Sequence, residues 1–94
     1  MNIPERLKVG GLDYEVSFVE NLARDYGANG SQCGNALKIK IDESLPRQNQ
    51  ESVFLHEIIE ALNFVYEIKL EHQQISVLES GLYQVLKDNG MLVE

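Results

Sequence analysis

The sequence predicts an α+β domain, a small antiparallel sheet of about three strands packed by two helices. Three observations predict it. Apolar residues alternate with polar ones in the N-terminal third and again at Leu37, Ile39 and Ile41. From Arg47 onward the apolar period changes to that of a helix, in two stretches. No repeat, low-complexity tract or linker interrupts the chain, so residues 1–94 read as a single domain.

The elements follow in order. Leu7 and Val9, then Leu12, Tyr14, Val16 and Phe18, alternate on either side of Gly10-Gly11, the pattern of a β-hairpin. Pro4 precedes the first strand, where it does no damage. Residues 21–35 are rich in Gly, Asn and Asp and read as a long mobile loop, with at most a helical turn over Asn21–Tyr26. Leu37–Asp42 is the third strand. Ser44-Leu45-Pro46 stops it and opens a helix over about Arg47–Tyr66, with Phe54, Ile58, Ala61, Leu62 and Val65 on one stripe. A second helix runs over about Glu71–Asp88, closed by Asn89-Gly90. Gly81 inside it is expected to allow close packing against a neighbour. Tyr66 and Tyr83 read as packing residues, and Glu67, Lys69 and Glu71 as a solvent-facing connection.

Composition narrows the function classes. With 44% hydrophobic and 24% charged residues the chain is not a disordered one. Eight Lys+Arg against fifteen Asp+Glu give a formal net charge of −7, which disfavours nucleic acid and anionic membrane surfaces as partners. The acidic residues form no long runs, so a mimic of nucleic acid is also disfavoured. Cys33 stands alone, which excludes an internal disulfide and fits a reducing cytoplasm, the expected location. No base lies near it in sequence to activate the thiol. No apolar run reaches the roughly 18 residues of a membrane span, and Met1–Gly10 lacks a signal-peptide core.

The stretch that can carry chemistry is His56-Glu57-Ile58-Ile59-Glu60. On a helix His56 and Glu60 share a face, about 6 Å apart at the root, a spacing from which two side chains reach one ion. Ser52 and Asn63 lie on the same face. In HExxH sites two His bind zinc and the intervening Glu takes a proton from the bound water. Here Glu60 stands where the second His would be, and zinc accepts carboxylate oxygen as well as imidazole nitrogen. A third ligand is needed. His72 and Glu79, seven residues apart, project within about 20° of each other and about 10 Å apart along the second helix, so one of them is expected to meet the metal.

The chain resembles a family of small zincin-like metallopeptidases encoded in phages and prophages. The resemblance lies in the Gly10-Gly11 hairpin with Tyr14, the Leu37–Asp42 strand, Leu55-His56-Glu57-Ile58-Ile59, and Gly81 through Asn89, and so covers most of the chain. In that family the motif reads HEIIH, and an acidic residue often begins the second helix. Here Glu60 occupies the second ligand position, and His72 begins the second helix. Either the two ligand types have been exchanged with one ion retained, or the metal has been lost.

The resemblance implies a zincin-like fold and a zinc-dependent peptidase. His56, Glu60 and one of His72 or Glu79 would hold Zn²⁺, and Glu57 would act as general base on a peptide carbonyl. The strand before the motif helix, with Leu37, Ile39 and Ile41, would pair with an extended peptide substrate. The alternative is a catalytically inactive zincin-like interaction module that binds a host or phage protein through a sheet edge or an acidic face. In that case His56 is hydrogen-bonded to Glu60 or Glu79, His72 is exposed, and Glu79 makes a structural hydrogen bond, for example to Tyr14. The oligomeric state is not legible in the sequence.

Overall fold

In the computed structural model, which describes residues 1–92, β1 (Arg6–Val9) and β2 (Leu12–Val19) form the expected hairpin. Val9 pairs with Leu12 across Gly10-Gly11, and Gly10 adopts φ 59°, which favours glycine. A Cβ at Gly10 would also stand 2.7 Å from Val65 Cγ1, so the turn fits close against the first long helix.

The segment expected to be a long loop holds α1 (Leu22–Tyr26), at the place allowed for a helical turn, and an unexpected strand, β3 (Gly30–Cys33). Buried Leu22 anchors α1, and Asp42 ties it down. The Ala23 N–H donates to Asp42 Oδ2 at 2.7 Å, and the Ser44 hydroxyl and N–H donate to Oδ1 at 2.6 and 2.8 Å. The Ser44 hydroxyl, then the Ala23 N–H, hold the Asp42 carboxyl below its ordinary range against the opposing effect of burial. β3 reads Gly-Ser-Gln-Cys and lacks apolar alternation because it lies at the edge of the sheet.

The sheet has four strands in the order β1-β2-β4-β3, with β4 spanning Lys38–Asp42. It is mixed rather than wholly antiparallel. β2 and β4 run parallel, with Val16 opposite Ile39 and Phe18 opposite Ile41, while β3 and β4 form an antiparallel hairpin. The chain passes through α1 and β3 between β2 and β4, and that crossover brings β4 back in the direction of β2.

The same topology corrects the expected peptide-binding strand. β4 is bonded on both sides, by β2 and β3, so its backbone has no free edge. Ile39 and Ile41 are fully buried in the core, and Leu37 sits in the β3–β4 turn with φ 54°. Neither isoleucine is open to a substrate, and Leu37 lies outside the strand. The free edge on that side belongs to β3.

Both long helices fall where the apolar period places them, α2 at Arg47–Tyr66 and α3 at His72–Asp88. α2 lies across the sheet and packs Phe54 and Ala61 onto Val9, Tyr14, Val16, Ile39 and Ile41. α3 packs antiparallel along α2, with Ile75 its buried anchor. Glu71 and Gln74 form a capping box at its start, and Gly90, at φ 69°, follows Asn89 at its end. Gly81 does not serve close packing, since a Cβ there would have nothing within 4 Å. Tyr66 is exposed rather than packed. Tyr83 is half-buried, and its hydroxyl donates to Glu51 Oε1 at 2.7 Å. Among the described residues no helix is long and apolar enough to cross a membrane.

Candidate metal centre

One face of α2 carries Ser52, His56, Glu60 and Asn63, and each of them meets α3 or the connection leading into it. The Ser52 hydroxyl donates to Glu79 Oε2. His56 contacts Glu79, Glu60 approaches His72, and Asn63 bonds Leu70. As residue numbers rise along α2 their partners fall along α3, as an antiparallel helix pair requires. A polar seam thus runs beside the apolar one, because spacings of three and four residues put all these side chains on one stripe.

At the middle of this seam His56, Glu60 and His72 present ligand atoms that all lie within 4.8 Å of one another. Glu60 Oε2 stands 3.4 Å from His56 Nε2 and 3.7 Å from His72 Nδ1, and the two imidazole centroids are 5.1 Å apart. Two ligand atoms bound tetrahedrally to zinc at their usual distances are about 3.4 Å apart. The two separations from the carboxylate oxygen are close to that value, and two imidazole nitrogens with one carboxylate oxygen are donors that zinc accepts.

The structure separates the two candidates for third ligand. His72, at the first position of α3, faces the same carboxylate oxygen as His56. Glu79 lies two turns further on and meets the opposite side of the His56 ring, its Oε1 3.0 Å from Nδ1. A carboxylate only accepts, so Nδ1 donates to Glu79, and Nε2 is the ring nitrogen turned toward Glu60 and His72. Ser52 steadies Glu79 in turn. Glu79 therefore stands apart from the group formed by His56, Glu60 and His72, and its hydroxyl partner is Ser52, not Tyr14. The Tyr14 hydroxyl accepts from Gln32 Nε2 at 2.8 Å.

Glu57 is buried beside this group. It lines a cleft of about 330 Å³ together with His56, His72, Ser76, Glu79 and the Asn29-Gly30 entry to β3. Among the described residues none donates a hydrogen bond to its carboxyl. Burial pushes its pKa up to about 7, the neighbouring Glu60 and Glu79 add to the rise, and His56 opposes it. A carboxyl that faces a cleft, lacks a protein partner and titrates near neutrality has the properties of a general base. Gly30 makes the room for it, since a Cβ there would stand 2.5 Å from Val53 Cγ1 and 3.0 Å from Glu57 Oε2.

Of the residues expected at the site, His56, Glu57, Glu60, His72 and Glu79 come together, whereas Leu37, Ile39 and Ile41 do not. Sequence reasoning placed Ser52 and Asn63 on the right face without giving them partners, because the partners belong to another helix. Gly30 and Ser76 had no signal in the sequence. No family model, curated protein or solved structure matches the chain, so the functional reading rests on this geometry.

Proposed function

We propose that the protein is a zinc-dependent, zincin-like peptidase of phage or prophage origin, with His56, Glu60 and His72 as ligands and Glu57 as general base. The observation that carries the reading is the grouping of His56, Glu60 and His72 within 4.8 Å beside the buried carboxyl of Glu57, to which none of the described residues donates a hydrogen bond. Two His and one Glu are an established ligand set of catalytic zinc sites. The set matches an exchange of ligand types, with Glu on the motif helix and His at the start of the next, better than it matches loss of the metal. With one carboxylate ligand rather than two, the site keeps its electrophilicity.

Zinc, when bound, supplies Lewis-acid activation of water and of the scissile carbonyl. The chain's own residues do the rest. Glu79 holds the His56 tautomer, Glu57 accepts a proton from the attacking water, and its raised pKa suits it to pass that proton on to the leaving amine. An extended peptide would lie along the free edge of β3, which starts at the cleft.

The test is cleavage of an unstructured protein such as casein by zinc-loaded protein, beside Glu57→Gln. The reading expects cleavage by the wild type and none by the variant, with zinc retained in both. Equal loss of metal and activity in the variant would remove Glu57 from the role of base.

A second reading, a metal-free interaction module, is favoured by one observation. α3 exposes Leu78, Leu82 and Val85 along one stripe, a surface on which another protein can pack. Its signature is a protein that binds no zinc until Glu60→His restores the second imidazole.

A further inference from the structure

The connection between α2 and α3 has little of its own to hold it. Glu67, Ile68, Lys69 and Glu71 are exposed, and Leu70 is half-buried. Glu67 and Lys69 adopt φ 51° and 67°, left-handed conformations that side chains other than glycine rarely take. His72, the residue this connection delivers, is itself 77% exposed, so side-chain packing does not fix it.

What does fix the connection is Asn63. Its side-chain Nδ2 donates to the Leu70 carbonyl at 3.2 Å, and its Oδ1 accepts the Leu70 N–H at 2.9 Å. Its backbone carbonyl accepts from the N–H groups of Glu67 and, at 3.3 Å, Ile68. One residue thus gathers three points of the chain between the motif helix and His72. Asn63 also lies on the α2 face that carries His56 and Glu60, so the turn is referenced to the same helix as the two other ligands.

We infer that Asn63 is a positioning residue for metal binding, which places His72 against His56 and Glu60 by bracketing Leu70. The inference rests on the metal reading above. Ile75 packs the body of α3 on α2, and the capping box of Glu71 and Gln74 orders its first turn. Neither sets where the first turn stands relative to Glu60, and the bracket on Leu70 does.

The experiment is a zinc competition titration against a chromophoric chelator, on the full chain, in a double-mutant cycle. The proteins are wild type, Asn63→Ala, His72→Ala and the double variant, with Asn63→Ser in place of Asn63→Ala if the latter does not fold. Asn63→Ala is expected to weaken zinc binding by about 10–100-fold, the range seen when an outer support of a ligand is lost. In the His72→Ala background the same substitution is expected to change affinity little, because the residue it positions is gone. A merely structural Asn63 would weaken binding equally in both backgrounds, and that outcome overturns the inference, as does unchanged affinity in Asn63→Ala. Wild-type protein that binds no zinc overturns the metal reading and this inference with it. Wild-type protein that binds zinc while the cycle is additive overturns the inference alone.

Discussion

Glu79 accepts from His56 Nδ1 at 3.0 Å and so turns the other ring nitrogen toward Glu60 and His72. A residue on α3 thereby orients an imidazole on α2, and His56, Glu60 and His72 come together only when the two helices are packed. Ser52 continues the support behind Glu79. The order Ser52, Glu79, His56 is that of an outer carboxylate holding a metal-binding imidazole.

Glu79→Ala should therefore weaken zinc binding by about 10–100-fold without removing a ligand. His56→Ala removes one and should have the larger effect. Competition titration of the two variants ranks them. Equal, complete loss in both would mean that Glu79 is itself a ligand.

Stability of the metal-free protein should fall as pH rises through the range set by Glu57. Its carboxyl, ordinarily at 4.5, is raised to about 7 in the folded chain. Below 4.5 both states hold the proton and its stabilising effect is fully present. Between 4.5 and about 7 the unfolded state has lost the proton and the folded state keeps it, so stability declines, by roughly 3 kcal/mol in all. Glu57→Gln should flatten that slope in urea melts taken from pH 5 to 8. A slope of the same size in the variant would assign it to another group.

At lower pH the trend reverses. Glu51 is pushed up by burial, but Tyr83, the Met1 ammonium and Arg47 outweigh this and leave its pKa below 4.5. Its stabilising effect is present above 4.5 and is lost as pH falls through the lowered value. Tyr83→Phe removes the 2.7 Å hydrogen bond to Glu51 and should cost about 1.5–3 kcal/mol at neutral pH, read as a lower urea midpoint.

Gly30→Ala should damage both fold and site. Its Cβ would sit 2.5 Å from Val53 Cγ1 and 3.0 Å from Glu57 Oε2, in the one layer that separates β3 from α2. Overpacking of this kind costs about 1–3 kcal/mol. The measurement is urea denaturation of the variant beside Gly27→Ala, where a Cβ meets nothing within 4 Å and only the strain of φ 72° applies. A Gly30→Ala protein as stable as wild type would show that α2 can move away from β3 freely.

The parts of this molecule that carry a period were legible in the sequence. Tyr14 and Val16 announce β2, and the stripe of Phe54, Ile58, Ala61 and Val65 announces α2, because these side chains turn toward the core; Phe18 and Leu62, expected on the same faces, are exposed. Gly30–Cys33 carries no such period. It is a short edge strand made of small and polar residues, held by β4 and by the Gln32–Tyr14 hydrogen bond rather than by an apolar face. Missing it hid the parallel pairing of β2 with β4, and with that the burial of Ile39 and Ile41. The site divides the same way. His56, Glu57 and Glu60 share one helix and announce themselves by spacing. The choice between His72 and Glu79 depends on how far α3 slides along α2, which Asn63 and the connection decide and no spacing within α3 records.

The central claim is that His56, Glu60 and His72 hold a zinc ion. The most direct measurement is zinc content by inductively coupled plasma mass spectrometry, on protein purified without a His tag or chelator, beside His56→Ala and His72→Ala. The account predicts close to one zinc per chain retained through purification in the wild type and far less in either variant, whose weakened affinity is read by titration with added zinc. A wild-type protein that stays free of zinc after the ion is supplied at neutral pH would contradict it.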